Sequence, residues 1–142
     1  MKGLRKVFFD TWGWLAIAHR DDQHHEEVAA FYRDFLIAGG VAVTTDYILD
    51  EAITLLRSRT TPKGTETLID GIFAATHSGR MLVERVTEER WSAAWKLSRK
   101  FSDKGDISFT DFTSFVIMKE LKIAEALTAD HHYEFVRVRK LF

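Results

Sequence analysis

Cysteine is absent from the 142 residues of this chain, which removes disulfides, thiolate metal sites and a thiol nucleophile from consideration. Proline occurs once, at Pro62, and no linker, low-complexity tract or internal repeat divides the chain. Long apolar runs are missing as well. None reaches the roughly 20 residues needed to cross a bilayer, and the amino-terminal "MKGLRKVFFDTWGW" lacks the apolar centre and small-residue cleavage site of a signal peptide. A cytoplasmic protein with no membrane association is expected. Neither sign of charge dominates: 20 Lys and Arg against 21 Asp and Glu leave a formal net charge of −1. A polyanionic partner would therefore have to be met by local basic groups or by bound cations.

What is present is a 46% hydrophobic share with mixed charges, the composition of a globular chain, and residues 1–142 are expected to form one domain. Short β-type runs alternate with longer helical ones. "KVFFD" reads as a first strand, followed by a helix through "TWGWLAIAH" and another from about Asp22 to Ile37, which Gly39 and Gly40 end. "VAVTT" is the second strand. A helix over about Asp46 to Arg57 follows, and then one that opens near Pro62 and closes at Gly79. After the strand "MLVERV", Thr87 and acidic first-turn residues start the helix "TEERWSAAWKLSRKF". "TDFTSFVIMKEL" is the last long helix, "EALTAD" the next strand, and the alternating tail "FVRVRKLF" a candidate edge strand. Strands separated by helices of this length predict an α/β three-layer sandwich: a parallel sheet of four to five strands, right-handed crossovers, helices on both faces.

In such a fold the carboxyl ends of the strands and the amino ends of the following helices share one edge, where sites are built. Asp10 closes the first strand and Asp130 closes "EALTAD". The helix that begins near Thr110 runs back to feed that strand, so Asp111 lies at the same edge. Glu51 sits early in the helix after the second strand, beside the buried stripe of Ile48, Leu49, Ala52, Leu55 and Leu56, whereas Asp50 points away and Asp46 reads as a helix-start residue. Four acids from four segments thus converge. Carboxylates within about 4–6 Å disfavour one another's ionised state unless a cation neutralises them. All-oxygen ligation suits Mg²⁺ or Mn²⁺, ions that commonly join protein carboxylates to a phosphate group, and phosphodiester hydrolysis is the chemistry that follows.

Simpler readings stand beside this one. Asp10 and Asp130 fit helix caps, and Ser108-Phe109-Thr110-Asp111 fits a capping box before an apolar run. Thr11, Ser108 and Thr128 are placed either to support the carboxylates from behind or to cap. Arg57, Arg59, Lys63 and Lys104 are candidates for contacts to substrate phosphates or plain solvated charges; Asp103 and Asp106 belong to a Gly-containing turn. Adjacent histidines point in different directions and no H-E-x-x-H spacing occurs, so His24 and His25 are expected to be exposed, with His131 and His132 left as substrate contacts at most. Trp91 and Trp95 lie i, i+4 on one helix face, and if exposed would form a dimer or partner-protein surface. Asp10-Thr11-Trp12 lacks the D-x-D of a haloacid-dehalogenase-type phosphatase, and "MLVERV" lacks the strand-closing Asp of a phosphoacceptor receiver.

Together, "FFDTWGWLA", "TTDYILDEAITLL" and "DKGDISFTDFTSFVIMKELKIAEALTADHHYEF" resemble a PIN domain, and specifically a VapC-type toxin of a bacterial or archaeal toxin–antitoxin pair. The resemblance runs end to end and is most specific in the last segment. It implies that Asp10, Glu51, Asp111 and Asp130 are an acidic quartet binding Mg²⁺ or Mn²⁺, that the chain is an endoribonuclease, and that it pairs with a cognate antitoxin and forms a homodimer. A non-catalytic PIN-like module for RNA or a protein partner is the alternative. Tyr133 departs from the pattern, standing where relatives often carry a phenylalanine directly after the histidine.

Overall fold

The computed structural model of the chain describes residues 4–136 and 138–142, without the side chain of Phe135. Five strands are present: β1 (Lys6–Phe9), β2 (Val41–Thr45), β3 (Met81–Glu84), β4 (Glu125–Leu127) and β5 (Arg139–Lys140). They form one sheet in the order β3-β2-β1-β4-β5, with every pairing parallel. The helices are α1 (Thr11–Ala18), α2 (His25–Ile37), α3 (Asp46–Arg59), α4 (Pro62–His77), α5 (Glu88–Lys100) and α6 (Phe109–Glu120).

Handedness assigns the helices to layers. The steps β1 to β2 and β2 to β3 move one way across the sheet, and β3 to β4 moves back the other way. Right-handed crossovers therefore put α1 to α4 on one face and α5 with α6 on the opposite face, in keeping with the contacts of α1 with α2, α3 and α4 and of α5 with α6. The result is the three-layer parallel architecture expected from the alternation. Its strand order reverses between β1 and β4, and the crevice beyond the ends of those strands is the topological switch point.

Central strands read as continuous apolar runs because both faces are covered: Val7, Phe8 and Phe9 of β1 and all of β2 are buried. Trp14 of α1 is fully buried and donates its indole N–H to Thr44 Oγ1 at 3.1 Å, while Thr44 donates to the Phe9 carbonyl at 3.1 Å. This chain of bonds ties α1 to the ends of β1 and β2. Gly13 is needed one residue earlier, since a Cβ there would stand 2.9 Å from the Leu127 side chain and 3.0 Å from its carbonyl oxygen. Its absence lets the first turn of α1 lie directly on the end of β4.

Several boundaries differ from expectation. Helix α2 begins at His25, because Asp22 Oδ1 accepts the His24 N–H at 2.8 Å and closes a turn first. His24 and His25 are half-buried: His25 Nδ1 lies 2.8 Å from the Ala16 carbonyl and His24 Nδ1 lies 2.6 Å from Glu27. Strand β4 stops at Leu127, short of Asp130, and residues 131–136 form a 3₁₀ helix in place of the start of an edge strand. Among the described residues Arg139 and Lys140 pair with β4; Arg137, part of that expected strand, lies outside the described residues. No helix among the described residues is long and apolar enough to cross a membrane.

Candidate active site

Asp10 occupies the N-cap position of α1 without making a side-chain cap bond. Its carboxylate turns instead towards β4, where Thr128 Oγ1 donates to Oδ2 at 2.9 Å. Thr128 also accepts the Asp130 N–H at 3.0 Å, and Asp130 Oδ1 accepts the His132 N–H at 2.9 Å. Two strand ends are stitched together through carboxylates and one hydroxyl. On the other side Ser108 caps α6, accepting the Asp111 N–H at 3.1 Å, so the Asp111 side chain is not the cap.

Burial and mutual repulsion set the electrostatics. Asp10 is 6% exposed, and loss of water is the chief cause that pushes its carboxyl from 3.8 up to about 6; the Thr128 hydroxyl and the Thr11 backbone N–H oppose the rise and Asp130 adds to it. Asp111, 8% exposed, rises to about 7, through burial first, then Asp10 and Asp130, with a smaller contribution from Glu51 and opposition from His132. Asp10, Asp130 and Glu51 thus each lie within electrostatic reach of Asp111. Among the described ion pairs no Lys or Arg meets any of them. Glu51 is half-buried on α3, and Asp50 beside it is exposed.

Ligand atoms of Asp111, Asp130 and His132 all lie within 4.8 Å of one another, a set able to hold a metal ion. Its oxygen-rich chemistry, with the buried Asp10 carboxylate alongside, fits a hard divalent cation. Thr11 Oγ1 is buried without a hydrogen-bond partner. Beneath the cluster sits Tyr133, fully buried and edge-on to Phe115 with ring centroids 5.0 Å apart. Asp10, Asp111 and Ser114 are the polar neighbours of its hydroxyl, which makes no hydrogen bond of normal geometry; burial and the two acids push its pKa well above 10.

Two residues at this edge were not anticipated in these places. His132 is buried, with Nε2 2.8 Å from Asp106 and Nδ1 2.9 Å from Asp130. Burial pulls its pKa down, but Asp106 and Asp130 outweigh it and the net shift is upward. The rings of His131 and His132 are 4.3 Å apart, so on this 3₁₀ turn adjacent histidines do not diverge. Tyr133 is the other. A usable signal existed for Ser114, which lies i+3 from Asp111 on the same helix face.

Most of the basic candidates lie elsewhere. Arg57 and Arg59 are exposed in the last turn of α3, and Arg59 and Lys63 line a cleft of about 1030 Å³ with Arg20 and His25 that none of the four acids lines. Lys104 and Asp106 share the turn before α6, and Asp103 is exposed there. Trp91 and Trp95 are 44% and 52% exposed and stacked at 6.5 Å, with Trp91 also 5.2 Å from Phe109.

Residues 7–141 match the PIN domain family, and the chain belongs to that family. Among its relatives is the 23S rRNA-specific endonuclease VapC20 of Mycobacterium tuberculosis, from strains CDC 1551 / Oshkosh and ATCC 25618 / H37Rv, 28% identical over 136 residues, covering 94% of this chain and 98% of that protein. The crystal structure of VapC20, described as a sarcin-ricin loop cleaving toxin, superposes with a TM-score of 0.78 at 25% identity over 95% of this chain and 98% of that one.

Proposed function

We propose that this chain is a divalent-metal-dependent endoribonuclease, the toxin of a toxin–antitoxin pair, acting in the cytoplasm as one PIN-like domain over residues 1–142. The observation that carries the reading is the pair of buried carboxylates, Asp10 and Asp111, raised to about 6 and about 7 by burial and by neighbouring acids. A fold selected for stability alone would replace or pair such groups, because an uncompensated buried charge is costly. A cation removes the cost and converts the cluster into a site for an anionic phosphodiester.

Asp10, Glu51, Asp111 and Asp130 are the residues assigned to hold Mg²⁺ or Mn²⁺. A bound ion of this kind stabilises charge on phosphoryl oxygens and lowers the pKa of water. The chain's own groups do the positioning. Thr128 fixes the rotamer of Asp10 through its hydroxyl, Ser108 fixes the first turn of α6 and hence Asp111, and Tyr133 with Phe115 closes the floor against water. Thr11 is the remaining hydroxyl beside Asp10.

RNA is the proposed substrate, and ribosomal RNA the first to test, since VapC20 is named for its action on 23S rRNA. Lys104, in the turn that carries Asp106, is better placed for phosphate contact than Arg57, Arg59 and Lys63, which line or flank the other cleft. A cognate antitoxin and a second copy of the chain are the proposed protein partners, with the exposed Trp91 and Trp95 pair as a candidate contact surface. The test is incubation of ribosomal and transfer RNA with purified protein and Mg²⁺ or Mn²⁺. Cleavage that stops with chelator and in Asp10→Asn and Asp111→Asn is expected. Cleavage that persists in both variants would overturn the assignment, and intact RNA throughout would favour the non-catalytic binding module.

A further inference from the structure

His132 joins the acid cluster to the turn before α6. Its side chain is 9% exposed, with Nε2 2.8 Å from Asp106 Oδ2, Nδ1 2.9 Å from Asp130 Oδ1 and Nδ1 4.0 Å from Asp111 Oδ2. The backbone N–H of the same residue donates to Asp130 Oδ1 at 2.9 Å. Asp130 stands three residues beyond the end of β4, where the sheet no longer fixes it, and its carboxylate is met by one residue through both main chain and ring. Asp106 is exposed and outside the acid cluster, yet it faces the far nitrogen of the ring and so limits rotation about both side-chain torsions.

We propose that His132 is a positioning residue: anchored by Asp106, it sets the carboxylate of Asp130 relative to Asp111 and thereby the affinity of the cluster for its cation. This inference rests on the metal-dependent reading above. With Nε2 hydrogen-bonded to Asp106 and Nδ1 close to Asp130 Oδ1 at 2.9 Å, though outside hydrogen-bond geometry, the ring has little freedom left to lose when the cation binds, and the carboxylate beside it is already in place. With Nδ1 turned onto Asp130, the ring acts through that carboxylate in this proposal and not as a third ligand beside Asp111 and Asp130, and partners of this kind typically contribute about 10–100-fold in metal affinity.

The experiment is titration of the protein with Mn²⁺, following free ion by electron paramagnetic resonance. His132→Ala is expected to bind Mn²⁺ about 10-fold more weakly than wild type. Asp106→Asn, an exposed change that leaves the cluster intact, is expected to bind several-fold more weakly, and the double variant no more weakly than His132→Ala, because the two act in series. His132→Asn, whose amide reaches the Nδ1 position, should recover much of the loss. Unchanged affinity in His132→Ala would overturn the inference while leaving the metal site standing. So would a loss in His132→Ala with Asp106→Asn unaffected, since the ring would then act without its anchor. Absence of Mn²⁺ binding by wild type would overturn the metal reading itself and this inference with it.

Discussion

Helices α1 and α3 start beside one another, just beyond the adjacent strands β1 and β2, and each start carries an aspartate. Their uses differ. At α3, Thr45 caps the Ile48 N–H, and Asp46 accepts bonds from its own neighbour Tyr47 at 3.1 Å and from Val86 at 2.9 Å, holding β3's exit loop in place, with Arg85 3.9 Å away. At α1 no side chain caps, and Asp10 faces Thr128 and the other acids. One acid accepts two backbone N–H bonds, with an exposed arginine nearby. The other is buried among like charges. The contrast teaches that an acid at a helix start is informative about chemistry when the structural work of that start is left to something else, as Ser108 does it for Asp111.

The largest effect that could break the comparison is on cleavage. Asp10→Asn is expected to lower the rate of RNA cleavage by roughly 100-fold or more, as loss of a charge-stabilising group does. Asp46→Asn should stay within a few-fold of wild type while melting at a lower temperature, by about 1 kcal/mol of lost bonding. Parallel activity assays and thermal melts decide it. Equal losses of activity would erase the distinction between the two starts.

A smaller effect is the pH dependence of the metal-free protein. Asp10 and Asp111 have folded-state pKa values of about 6 and about 7, above the ordinary 3.8. The folded state therefore binds protons more tightly than the unfolded state between about pH 4 and 7, and stability falls as pH rises through that window. In the presence of chelator, the melting temperature is expected to drop by several degrees from pH 5 to pH 8, and Asp111→Asn to flatten the drop. A melting temperature that rises over this range would contradict the burial of uncompensated acids.

The smallest change sharpens the role of the cap. Ser108→Ala is expected to cost about 1 kcal/mol of stability, the usual worth of a helix cap, with cation response intact. Loss of the cation response in Ser108→Ala, measured by calorimetry, would move Ser108 from capping into the site itself.

Much of the fold was legible because the hydrophobic pattern and its punctuation agreed. Thr87 caps the helix it announces, Pro62 stands in the first turn of α4, and Gly39 and Gly79 take the positive φ values that end α2 and α4. Asp10, Asp111 and the strand that leads to Asp130 could be located by topology, since parallel strands deliver their carboxyl ends to one edge. His132 and Tyr133 could not. They follow a strand only three residues long, in a 3₁₀ turn that no sequence pattern announces, and whether adjacent histidines diverge depends on that local geometry. His25 was misjudged for a related reason: its partner, the Ala16 carbonyl, comes from the end of α1, which sequence spacing around the histidine does not disclose.

The central claim is that the acids at the β1 and β4 ends share a cation, and a thermal titration with Mg²⁺ and Mn²⁺ at pH 7.5 tests it most directly. Wild type is expected to melt at progressively higher temperature as either ion is added, by the ordinary linkage of binding to folding, while Asp10→Asn and Asp111→Asn respond weakly and Asp46→Asn responds as wild type does. Identical responses in all four proteins, or no response in any, would contradict it.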